Sequence, residues 1–189
     1  MGQAATGQVR WTIADVDLLT TDEWKRYEII DGELFVTRAP HWKHQITLDN
    51  ICAELQVWSQ ATGQGRAVST PGIIFTETNS VIPDVVWVSR DRLSILLDEA
   101  GHLTGAPELV VEVLSPGVTN ERRDKEAKLK LYSIQGVQEY WIVNWQLQQV
   151  EVYRRDNTQL AQVATLLTEN TLTSPLLPEF CCLIERFFA

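Results

Sequence analysis

Hydrophobic residues recur along this chain with two periods, and a change of period marks a change of element. From Trp42 to Ala61, Ile46, Leu48, Ile51, Leu55 and Trp58 follow helical spacing, and Gly63 is placed to end that helix. Ile13 to Leu19 reads as a short helix with Thr12 as N-cap. Asn120 to Gln135 reads as a helix capped by Asn120 and stopped by Gly136. Asp91 to Leu97 gives another short helix, and Glu179 to Phe188 a terminal one.

Strand-like runs lie between these segments. Tyr27-Glu28-Ile29-Ile30 and Glu33-Leu34-Phe35-Val36 flank Asp31-Gly32, a dipeptide that readily adopts the positive φ angles of a type I′ turn, so a hairpin is expected. Ala67 to Phe75, Val81 to Val88, Tyr140 to Val143, Gln149 to Arg154 and Gln162 to Leu167 also read as strands. Pro83-Asp84 interrupts the Val81 run near its start, where a ladder tolerates proline. The run Glu108 to Leu114 is apolar on both faces, as in a central strand covered on each side. An early hairpin, then a strand-helix-strand unit from Leu109 to Val143, predicts a mixed α/β sheet. A length of 189 residues fits one domain, with residues 1–11 as a flexible N-terminus.

Composition narrows the function classes. The net charge of -9 argues against a generic nucleic-acid binder, although it leaves room for a local basic surface. Asn120 to Lys130 is such a stretch, with two more cations than anions, and its alternative is a solvated helix face. Three cysteines, Cys52, Cys181 and Cys182, include no C-x-x-C pair and point to a reduced, cytoplasmic setting. Histidines and cysteines lack the spacing of a zinc site. Met1 to Arg10 lacks the order of a signal peptide, and no apolar run reaches the roughly 18 residues of a membrane span. Seven tryptophans suit a core and a dimer contact better than base stacking.

One residue breaks the pattern. Glu112 stands inside Leu109-Val110-Val111-Glu112-Val113-Leu114, where a carboxylate is costly unless it is paired or coordinated. Alternation puts Glu112 on one face with Val110 and Leu114, and Asp84 with Val86 and Val88, so neighbouring strands would bring the two acids together. Close carboxylates repel, and a hard divalent cation such as Mg²⁺ relieves the repulsion. On the following helix Asp124 and Lys128 lie four residues apart, flanking an inward stripe of Ala127, Leu131 and Ile134. A lysine beside such a centre can stabilise developing negative charge.

The order Pro83-Asp84, Glu112 with Ser115-Pro116, Asp124-x-x-x-Lys128-x-x-x-Tyr132 and Gly136-Val137-Gln138-Glu139-Tyr140-Trp141 resembles the "Uma-two" type of restriction-endonuclease-like proteins in the PD-(D/E)-x-K nuclease superfamily. Tyr27 to Leu34 and His44 match that family's pattern too, so the resemblance covers roughly Thr12 to Arg154. It implies a restriction-endonuclease-like mixed sheet flanked by helices, and DNA hydrolysis dependent on Mg²⁺ or Mn²⁺. Asp84 and Glu112 would bind the metal, and Lys128 would be the catalytic lysine. The superfamily's Glu-x-Lys would place lysine at 114, where this chain has Leu114, so the adjacent helix supplies it. Asn144 departs from the aspartate that relatives often carry after Trp-x-Val. A homodimer would suit a duplex substrate.

Blander readings stand beside these. Glu112 could form a structural salt bridge, Asp84 a turn, and Lys128 an ion pair with Asp124 on a solvated face. Glu33 and His44 are placed to orient a water, a metal or a phosphate, or else are ordinary hairpin and helix residues. A serine hydrolase built on Ser115 lacks the G-x-S-x-G elbow. The rival function is a non-catalytic module, binding nucleic acid or protein, that keeps the nuclease fold without turnover.

Overall fold

The computed structural model describes residues 9–19, 25–117 and 121–189. Thr12 caps α1 (Ile13–Asp17) in a reciprocal box with Asp15. The hairpin pairs β1 (Arg26–Ile30) with β2 (Glu33–Thr37), with φ of 52° at Asp31 and 78° at Gly32 as a type I′ turn requires. The long helix α2 (Trp42–Thr62) stops at Gly63 in the left-handed conformation.

Two predicted strands each divide. The first becomes β3 (Gly65–Ser69) and β4 (Ile73–Thr76), which belong to different sheets. Thr70 adopts φ of 50°, and Pro71 has no N–H to offer a ladder, so the chain turns there. The second becomes β5 (Asn79–Val81) and β6 (Val85–Ser89), and Pro83-Asp84 makes the crossing between sheets. After α3 (Arg90–Leu96) and β7 (Leu109–Val113), a π-helical turn, Arg123–Lys128, runs into α4 (Leu129–Gln135), which ends at Gly136. The expected cap Asn120 lies outside the described residues.

The chain continues through β8 (Glu139–Asn144), β9 (Gln149–Asp156) and β10 (Gln159–Leu166). Its end corrects an expectation. In place of a terminal helix from Glu179, β11 (Thr171–Ser174) pairs with β12 (Leu177–Leu183), and a short 3-10 turn, Ile184–Phe187, follows. Phe180, Cys182 and Ile184 are buried at every second position, a strand period hidden in a short apolar run.

The six-stranded sheet has the order β10-β9-β8-β7-β6-β3, with β7 and β8 parallel and the other pairs antiparallel. A four-stranded sheet, β2-β1-β5-β4, lies apart from it in pairing. This is the mixed α/β architecture expected. Leu109, Val111 and Val113 of β7 join Leu48, Ile51 and Leu55 of α2 in one core. Val110 and Leu114 join Leu131, Tyr132, Ile30 and Val81 in a second core on the other face. Each such side chain contributes about 1.5–3 kcal/mol on burial, so β7 is fixed firmly between two layers. Among the described residues no helix is long and apolar enough to cross a membrane.

Candidate active site

Pairing of β6 with β7 sets Val85 opposite Val111, so Asp84, one residue before β6, arrives beside Glu112 and Val113. The Val113 N–H donates to Asp84 Oδ2 at 2.8 Å and locks that approach. His44 Nε2 lies 3.3 Å from the same oxygen, and Arg26 Nη1 is 3.7 Å from Oδ1. Burial alone would raise the Asp84 carboxyl, but the His44 contact and the Val113 N–H, with the charge of Lys128, together hold it below its usual range.

The helix after β7 supplies the opposite wall. In its wide π-helical turn, Asp124 and Lys128 both face inward and are almost wholly buried. Tyr132 continues that inward stripe, whereas Ile134, expected to join it, is exposed. A regular helical phase carried through the π turn would have missed this rotation.

Lys128 Nζ lies 2.9 Å from Glu112 Oε1, 2.9 Å from Glu28 Oε1 and 3.8 Å from Asp124 Oδ1. The Tyr132 hydroxyl donates to Glu112 Oε1 at 2.9 Å. Arg123 forks onto both Asp124 oxygens at 2.8 and 3.2 Å and comes within 3.8 Å of Glu28. Glu28 also accepts the Ile82 N–H at 2.9 Å, which ties β1 to the inter-sheet crossing.

Four buried carboxylates, Glu28, Asp84, Glu112 and Asp124, thus share two buried cations, Arg123 and Lys128. Burial pushes the Glu112 carboxyl up to about 8, and Asp84, Asp124 and Glu28 add to that rise against the pull of Lys128. Burial likewise raises the Asp124 carboxyl, opposed by Lys128 and Arg123. Burial alone would lower the ammonium of Lys128, but Glu112, Glu28 and Asp124 hold it well above its ordinary value. Lys128 is therefore held in its charged form, and Glu112 holds its proton more tightly than a free carboxyl does.

Glu28, His44, Asp84, Glu112, Arg123 and Lys128 line a narrow cleft of about 30 Å³, enough for a small ion or a water or two. Larger concavities lie elsewhere, one of about 370 Å³ beside Gln60, Arg66 and Arg90, but that one is lined by no acid. Three expected residues, Asp84, Glu112 and Lys128, come together here, and so do His44 and Asp124. Glu33 does not: it is exposed on the edge strand β2 beside the hairpin turn. Glu28, Arg123 and Tyr132 were not singled out from sequence. Alternation along β1 places Glu28 on the face of the buried Ile30, and that was the available signal.

Among the described residues no trio of His, Cys, Asp or Glu side chains is arranged to hold a metal. Mg²⁺ needs fewer protein ligands, since it usually keeps several waters and takes one or two carboxylates. Asp84 and Glu112 supply two carboxylates on one cleft, the donor type and number such an ion takes, and do not make the four-donor set of a zinc site.

The model of the Uma2 family, described as "Putative restriction endonuclease", matches residues 13–185. A crystal structure of a "putative nuclease belonging to DUF820" from Anabaena variabilis superposes with a TM-score of 0.71 at 20% identity, covering 94% of this chain and 97% of that one. No curated protein matches.

Proposed function

The chain belongs to the Uma2 family, and from that premise we propose a metal-dependent endonuclease that hydrolyses phosphodiester bonds in DNA. One observation carries the reading: Asp84, Glu112 and Lys128, from an inter-sheet crossing, a central strand and the next helix, meet in one buried cleft. Asp84 and Glu112 would hold Mg²⁺ or Mn²⁺, and the bound ion would polarise a phosphate oxygen and make a water nucleophilic near neutral pH.

The chain's own residues supply the rest. Lys128, kept charged by three carboxylates, sets a fixed positive charge where negative charge grows on the phosphorane-like transition state. Tyr132 and Lys128 both hold Glu112 Oε1, which fixes the orientation of that carboxyl group. Arg26 and Arg38 line the cleft and would meet flanking backbone phosphates. Two copies of the chain would suit cleavage of both strands of a duplex.

The test uses supercoiled and single-stranded DNA with Mg²⁺ or Mn²⁺, and compares wild type with Glu112→Ala and Lys128→Ala. Cleavage by wild type and its loss in both variants are expected. Cleavage that neither substitution changes would remove the proposed site.

A second reading, a non-catalytic binding module on the same fold, is favoured by two features. Leu114 stands where the superfamily motif puts lysine, and the Lys128 ammonium is engaged by three carboxylates. That reading expects DNA or protein binding without turnover under every divalent cation.

A further inference from the structure

His44 carries an orphaned buried polar atom: among the described residues, its Nδ1 is the buried side-chain nitrogen or oxygen with no hydrogen-bond partner. The ring is almost wholly buried and lines the acid cleft, with Nε2 3.3 Å from Asp84 Oδ2. An ionised carboxylate only accepts hydrogen bonds, so in a neutral ring Nε2 carries the proton and Nδ1 presents a lone pair.

We propose that His44 is a positioning residue, holding Asp84 through Nε2–H; its relevance to a cation rests on the nuclease reading above. Two N–H groups, from His44 and Val113, fix Asp84 Oδ2. The other oxygen, Oδ1, faces Arg26 at 3.7 Å and is the one left for a cation.

Among the described residues Nδ1 has no acceptor to donate to, and an unmade hydrogen bond from a buried N–H costs about 1–3 kcal/mol, so the proton belongs on Nε2. The start of α2 holds the ring in place. His41 Nδ1 accepts the Lys43 N–H, and its ring stacks on Trp145 at 4.8 Å. The Trp145 indole in turn donates to Leu114 O, at the end of the Glu112 strand. The first turn of the helix is thereby tied to the strand that carries Glu112.

The first test is a long-range ¹H–¹⁵N correlation spectrum of the wild-type imidazoles, without added metal, at alkaline pH where an imidazole is neutral. The Nε2–H tautomer at His44 is expected, and the Nδ1–H tautomer would overturn the proposal. The second is Mn²⁺ affinity by calorimetry for wild type, His44→Gln and His44→Phe. Glutamine places an N–H where Nε2 stood, so it should stay near wild type, while phenylalanine should weaken binding about tenfold or more. Phenylalanine binding as tightly as wild type, or glutamine as weakly as phenylalanine, would overturn it. A wild type that takes up no Mn²⁺ overturns both this proposal and the nuclease reading. Mn²⁺ binding with the wrong tautomer overturns this one alone.

Discussion

Glu112 sits where burial and charge pull its proton in opposite directions, and a prediction follows from which one wins. Its carboxyl is raised from 4.5 to about 8 in the fold, so between those values the folded protein keeps a proton that the unfolded chain has released. Stability of the metal-free protein therefore falls as pH rises through that window, and Glu112→Gln should flatten the fall. Urea midpoints at several pH values in the two proteins measure it. Lys128 is the harder residue to replace. Lys128→Met leaves Glu28, Glu112 and Asp124 without their shared cation, and a loss of about 3–5 kcal/mol is expected at neutral pH, read from the same urea curves. Glu112 was legible in sequence because a carboxylate interrupts an apolar strand. Glu28 was not, because in a hairpin a polar residue next to Arg26 and Tyr27 looks like ordinary surface. Arg123 was hidden in a charged run whose usual place is solvent, although Asp124 and Lys128 of that run could be placed beside the inward stripe.

At the scale of elements, close approach of β3 to β6 depends on a single small residue. A Cβ at Gly65 would fall 2.3 Å from Val88 O and 2.6 Å from the Trp87 ring. Gly65→Ala must therefore push the edge strand off β6, at about 1–3 kcal/mol, visible as a lowered thermal midpoint. The hairpin, α2 and the central strand β7 could be read from their periods because local chemistry and burial agree there. The crossing at Pro83-Asp84 could not, since a continuous apolar run conceals that its two halves serve different sheets. The π-helical turn was equally hidden. Its extra width turns Lys128 and Tyr132 inward together and leaves Ile134 outside.

For the whole molecule, a net charge of -9 sets how DNA could be held. Attraction has to be local, and besides the buried Arg123 two arginines, Arg26 and Arg38, line the cleft. Two phosphate contacts give a slope of log affinity against log salt of about -2, shallow beside that of a broad basic surface. Binding of a short duplex across a salt series checks this, and a slope several times steeper would mean that a larger basic surface had been missed. Fold class was accessible from the alternation of elements, and the resemblance to a nuclease family from motifs spread over most of the chain. The full set of six buried ionisable groups was not, because Glu28 and Arg123 join Asp84, Glu112, Asp124 and Lys128 only through three-dimensional convergence of β1, the inter-sheet crossing, β7 and the π-helical turn. Divalent-cation titration with DNA cleavage as the readout, run on wild type beside Glu112→Gln, tests the central claim most directly. The account predicts saturable activation of wild type by Mg²⁺ or Mn²⁺ and none in the variant; equal cleavage by both, or no activation of wild type by either ion, would contradict it.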